Sequence, residues 1–381
     1  MSDPATAGLN APALAQLTAA LDRWVGARRI AGAVVLVERR GALGLFEAIG
    51  LQDEARGVAM RVDSIFRIYS MTKPIVSVAL MQLAEQGRVL LRDPVAKYLP
   101  AFAGVVVGVD GAVPKRAPTV HDLLRHTAGL TYEFHEAAPV RQRYAAANLY
   151  SRRRTNAQHV ELLASLPLMH EPGSVWDYSR ATDVLGRLVE VLADAPLSAH
   201  LKGAIFDPLG MVDTGFEVPP IHHTRIAEPL SSPAAGVPLV PVFDARVPSA
   251  LQGGGGGLMS TAADYARFLR MLLAGGRLDG ARLLGRKTVE FMTADHLGAI
   301  PRANELLPAD HGFGLGFAVK IASGGHTEPG SIGSYGWSGA AGTAFFVDPA
   351  EAMFALILTQ APGVLDDVRE LFRQGVYAAI E

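Results

Sequence analysis

Leu14, Leu17, Leu21 and Trp24 recur at helical spacing, which predicts a helix over Ala11–Trp24 with Asn10 as its cap and Pro12 in its first turn. Ala33 to Glu38 and Leu43 to Ala48 are apolar or β-branched runs flanking a turn with Arg39-Arg40-Gly41, the signature of a hairpin. Ser64 to Tyr69 reads as a short strand or extended entry, and Pro74 to Gln86, rich in Val, Leu, Met and Ala, as a helix stopped by Gly87. Ser70 thus stands at a helix N-terminus. Further helices are predicted over Thr119–Arg125, Asn156–Leu166, Thr182–Leu192 and Ser260–Leu273, the last capped by Thr261 and ended by Gly275-Gly276. Between the last two, Pro219 to Pro248 is proline-rich and reads as an extended surface excursion. The tail turns to strands over Gly312–Val319, Gly342–Asp348 and Phe354–Gln360, then to a final helix over Val364–Ile380. Strands at both ends of a helical middle imply one sheet assembled from distant segments, with an inserted helical domain. The boundaries read as an α/β domain over 1–80 and 175–381 and a helical domain over 81–174.

Composition narrows the classes without choosing one. A chain of 381 residues, 49% hydrophobic and 19% charged, can bury one large core or two linked ones. A formal net charge of -2 without long runs of one sign gives no field to gather nucleic acid or anionic lipid. The absence of cysteine excludes disulfides, thiolate metal sites and cysteine nucleophiles. Met1 to Leu17 lacks a basic segment followed by a continuous apolar one, so a cytoplasmic address is expected, with no membrane partner.

The chemistry concentrates at Ser70-Met71-Thr72-Lys73. In a helix, a hydroxyl and an amine three residues apart lie on one face, where a lysine can take the serine's proton. Only Lys73 among the lysines has a serine three positions earlier. The simpler reading of Ser70 is a helix cap and of Lys73 a solvated charge. Tyr178, in Trp176-Asp177-Tyr178-Ser179-Arg180 directly before a helix, is a second candidate proton carrier, and these residues leave open which of Lys73 and Tyr178 is the base. The run Gly253 to Gly257 lacks a following Lys-Ser/Thr, so it reads as close backbone approach beside a pocket and not as a phosphate loop. His135-Glu136 and His170-Glu171 begin a zinc-protease pattern whose second histidine is replaced by Pro139 and Ser174, and His222-His223 has no carboxylate frame. No metal and no cofactor is expected. His126 reads as the organiser of a turn. Gly336-Trp337-Ser338-Gly339-Ala340 lacks the last glycine of a nucleophile elbow and the helix after it, which argues against Ser338 as nucleophile.

Taken together these segments resemble the serine hydrolases of the class C β-lactamase and penicillin-binding-protein superfamily, most closely the family VIII carboxylesterases. Ser70-Met71-Thr72-Lys73 matches Ser-x-x-Lys, and Tyr178-Ser179-Arg180 followed by Asp183-Val184-Leu185-Gly186 looks like the tyrosine-containing second motif. Leu123 to Leu130 resembles a recurring segment between them, and Trp337-Ser338-Gly339 stands where β-lactamases carry Lys-Thr-Gly and the esterases Trp-x-Gly. The resemblance implies an α/β (α+β) fold: an antiparallel sheet flanked by helices, with an inserted all-helical domain, as in serine β-lactamases and DD-peptidases. It implies a carboxylesterase acting through an acyl-enzyme on Ser70, with Lys73 and Tyr178 as general base and acid. It implies oxyanion donors at the Ser70 and Ala340 N–H groups, and a small-molecule ester held by Trp337, Ser338, Gly339, Tyr132 and Arg180. Without a lysine in the third motif, the pocket should favour short to medium acyl or small neutral esters. A weak β-lactamase, a D-amino-acid peptidase or amidase, an acyltransferase and a non-catalytic binding module are the alternatives.

Overall fold

The computed structural model describes residues 2–134 and 138–381; His135-Glu136 lies outside the described residues. An eight-stranded antiparallel sheet forms the centre, in the order Val58–Ala59, Ala42–Asp53, Gly32–Arg39, Met353–Thr359, Ala344–Asp348, Tyr335–Ser338, Ala318–Lys320, His311–Phe313. The hairpin read around Arg40-Gly41 is present, and Gly32–Arg39 pairs on its other side with the tail strand, Ala33 opposite Thr359 and Arg39 opposite Met353.

Every residue of Gly32–Arg39 is buried, because successive side chains point to opposite faces and both faces are covered. Ala33, Val35 and Val37 meet Leu14, Leu17 and Leu21 of the helix Ala11–Gly26 and Val368, Phe372 and Val376 of the helix Leu365–Ala378. Val34 and Leu36 face the larger core, with the helices Thr72–Glu85, Ala181–Ala193 and Ala262–Leu273. Asn10 accepts from the Ala13 N–H and Thr261 from the Asp264 N–H, the caps their residue types call for. The segment read as helical contributes the helices Val120–Leu124, Pro139–Ala146 and Asn156–Ser165, with Thr119 and Thr155 closing capping boxes.

Two expectations change in detail. Gly312 to Val319 is two strands, not one, because the chain turns at Gly314–Leu315–Gly316, where Gly316 takes a φ of 99° and Gly314 N–H donates to Phe317 O. The excursion from Pro219 to Pro248 opens with a 3-10 helix, Pro220–Arg225, and folds back on the body. The buried Arg67 needs acceptors, and its guanidinium takes Phe243 O, Ala227 O and Glu228 from this segment. Phe243 therefore lands beside Tyr69, ring centroids 5.3 Å apart.

Candidate active site

Ser70 lies in a single 3-10 turn, Tyr69–Met71, that runs into the helix Thr72–Glu85. Pro74 is tolerated because the first turn of a helix has no acceptor for its missing N–H. Tyr69 holds a φ of 44°, a left-handed conformation that costs free energy for a residue with a side chain and persists only where packing enforces it. A glycine completes that packing: a Cβ on Gly339 would come within 2.4 Å of Ile68 O.

Lys73 is 1% exposed. Its Nζ lies 3.0 Å from Ser70 Oγ, 3.1 Å from the Tyr132 hydroxyl and 2.7 Å from Gly255 O. Burial pulls its pKa down from 10.5 to about 7, opposed by the Asp183 carboxylate and assisted by the Arg180 guanidinium. A neutral amine has two N–H groups and one lone pair. Donation to Gly255 O and Tyr132 thus leaves the lone pair for the Ser70 proton.

Tyr178 sits across from Lys73, whose Nζ is 4.5 Å from the phenol ring centroid. The indole N–H of Trp337 donates to the Tyr178 oxygen at 3.1 Å. Burial pushes the phenol above its ordinary range, while hydrogen bonds with Ser70 and Trp337 pull against that. Trp337 belongs to the strand Tyr335–Ser338 and packs on Tyr178 and Phe313. After it, Gly339 N–H turns back to Thr343 O, and Ala340 is exposed with no acceptor for its N–H among the described residues.

Arg180 does not stand free in the cleft. It is buried, paired with Glu133 and 3.6 Å from Asp183, and its guanidinium lies 5.0 Å from the Tyr132 ring centroid and 4.8 Å from that of Tyr150. His126 organises a turn, as its sequence context suggests: Ser179 N–H donates to Nδ1, Asp177 N–H donates to its carbonyl, and burial and Lys73 keep the ring neutral. His223 donates to Val218 O, and His170 pairs with Asp177. The glycine run is a close backbone approach: a Cβ on Gly254 would meet Thr182 O at 2.4 Å.

The structure thus brings Ser70, Lys73, Tyr178, Trp337 and Tyr132 together, and turns Arg180 aside toward Glu133. Sequence reasoning assigned Tyr132 to the pocket wall and did not find its bond to Lys73. It also missed Asp183 and Arg369. The latter reaches from the last helix to donate to Ser338 Oγ, so the third motif lacks a lysine but not a cation, one shared with Asp366. For Asp183 the only signal was an acid inside the second motif; for Arg369 there was none.

The chain is similar to known proteins over most of its length. A family model described as Beta-lactamase matches residues 14–379. Esterase EstB of Burkholderia gladioli is 33% identical over 99% of this chain and 98% of its own. An uncharacterized protein of Mycobacterium tuberculosis is 36% identical over 87% of this chain and 86% of its own. Among solved structures, EstCE1, described as a hydrolase with promiscuous acyltransferase activity, superposes with a TM-score of 0.79 at 27% identity, covering 96% of this chain and 99% of that one.

Proposed function

This chain belongs to the beta-lactamase family and is an ester-cleaving hydrolase of it, and from that premise we propose that Ser70 is its nucleophile, Lys73 its general base and Tyr178 its general acid. Neutral Lys73 takes the Ser70 proton as Oγ attacks the ester carbonyl. The N–H groups of Ser70 and Ala340 hold the oxyanion. The Tyr178 hydroxyl passes a proton to the departing alkoxide and is recharged from Lys73, which leaves an acyl-serine. Water then attacks the acyl carbonyl as it gives its proton to Lys73, and the Oγ–acyl bond breaks as Lys73 returns that proton to Ser70, releasing the acid and the free enzyme.

The observation that carries this reading is the buried Lys73 amine, 3.0 Å from Ser70 Oγ with a pKa brought to about 7. It also favours Lys73 over Tyr178 as base, since burial moves the phenol the other way. Trp337, Ser338, Gly339 and Tyr132 would shape a small-molecule pocket for short to medium acyl or other neutral esters, while Arg180, expected to bind substrate, would act only from behind Tyr132, where it is paired with Glu133. Tyr132 comes from the 81–174 segment, in keeping with a helical domain that forms one wall of the cleft against an α/β domain of 1–80 and 175–381. Acyl transfer to an alcohol differs only in which nucleophile enters second, and the promiscuous acyltransferase activity of EstCE1 favours testing it.

The test is initial rates on p-nitrophenyl butyrate and on nitrocefin, for wild type and Ser70→Ala. Ester cleavage that disappears in Ser70→Ala, with little nitrocefin turnover, is the expected result. Strong nitrocefin hydrolysis, or undiminished ester cleavage by Ser70→Ala, would overturn the assignment.

A further inference from the structure

Asp183 has no part in the acyl-transfer steps, yet two hydrogen bonds connect it to Lys73. Its Oδ1 accepts from the Gly255 N–H at 2.8 Å, and the Gly255 carbonyl accepts from Lys73 Nζ at 2.7 Å. Asp183 is 6% exposed and lies in the first turn of the helix Ala181–Ala193. Its other polar neighbours are more distant: Arg180 Nη1 at 3.6 Å and His159 Nε2 at 3.8 Å from Oδ2. His159, 1% exposed, has neither ring nitrogen hydrogen-bonded. A Cβ on Gly255 would meet the Asp183 carboxylate at 3.0 to 3.2 Å, so the glycine lets the loop seat on this acid.

We propose that Asp183 is a positioning residue: by fixing Gly255 it aims the carbonyl that orients Lys73 Nζ toward Ser70. With Gly255 O and Tyr132 taking the two N–H groups, the lone pair points at the serine; a displaced carbonyl would let it rotate away. The inference rests on Lys73 being the base. The charges around Lys73 set a second effect. Tyr132, Tyr178, His126, Arg180 and Asp183 face it, Glu133 balances Arg180, and His159 stands behind Asp183. Asp183 is the group among these that favours the ammonium. Removing its charge therefore extends activity to lower pH.

The experiment is the pH profile of kcat/KM on p-nitrophenyl butyrate for wild type, Asp183→Asn, Asp183→Ala, Gly255→Ala and Lys73→Ala, with circular dichroism melts as a check on folding. Both Asp183 variants should move the acid limb down, on the order of one pH unit. Asp183→Ala, which cannot hold Gly255, should also lower the plateau about tenfold more than Asp183→Asn, mostly in kcat. Gly255→Ala keeps every charge and should lower the plateau with its limb in place. If Asp183→Ala fails to fold, the remaining two variants separate charge from orientation. Wild-type limbs and plateaus in folded Asp183→Asn and Gly255→Ala, with Lys73→Ala inactive, would overturn this proposal alone. A fully active Lys73→Ala would overturn the base assignment beneath it.

Discussion

Replacing Lys73 with methionine should destroy activity and stabilise the fold, with a pH signature that identifies the buried amine as the cause. The folded pKa is lowered from 10.5 to about 7. The unfolded chain therefore binds more protons than the folded one between those values, and wild-type stability rises with pH across that window. Below about pH 7 the full cost applies, at most about 5 kcal/mol for a depression of this size. Methionine removes that cost but leaves the buried Gly255 carbonyl without its donor, a loss of about 1–3 kcal/mol. The net gain at pH 6 should be at most about 2–4 kcal/mol. Between pH 7 and pH 9 the advantage of the variant should shrink by about 2–3 kcal/mol, since each unit of this window returns about 1.4 kcal/mol to wild type. Urea unfolding of both proteins at pH 6, 7.5 and 9 measures the difference directly. A free-energy difference that does not change from pH 6 to pH 9 would refute a lysine that is neutral in the folded state.

Two other substitutions read the third motif. Trp337→Phe keeps an aromatic ring against Tyr178 and Phe313 but removes the N–H that meets the phenol oxygen, so kcat/KM on p-nitrophenyl butyrate should fall about tenfold; an unchanged rate would assign the indole to packing alone. Arg369→Gln removes the cation bonded to Ser338, and residual turnover of the carboxylate-bearing nitrocefin should fall about five- to tenfold relative to the neutral butyrate ester. Equal effects on both substrates would mean that the guanidinium only holds the strand end in place.

What the sequence makes legible here is what repeats or what is local. Helical spacing places Ser70 beside Lys73, and the capping residues Asn10 and Thr261 mark the helix starts they serve. The apolar, β-branched run Ala33–Val37 shows a strand but not its second neighbour, because both faces are buried and the run carries no polar side. The helices Pro139–Ala146 and Arg286–Met292 escape a periodicity reading, since they bury only Val140 and Tyr144, and Val289 and Met292, respectively. Contacts made by the fold are the least readable. Asp183 meets Gly255 72 positions away, and Arg369 meets Ser338 across 31. Neither pair has a spacing rule, and a charged residue in a helix is ordinarily a solvated one.

The pairing of Gly32–Arg39 with Met353–Thr359 has a consequence for how the molecule comes into being. Thr359 Oγ1 donates to Gly32 O across 327 residues of chain. At ribosomal rates of about 5–20 residues per second, roughly 15–65 s pass between synthesis of the first hairpin and arrival of its partner strand. During that interval one side of Gly32–Arg39 offers unpaired backbone groups on an entirely apolar central stretch, Ala33 to Val37. The nascent chain is thus most exposed to intermolecular strand pairing while the Ser70 helix has already been made and the sheet beneath it is still half built.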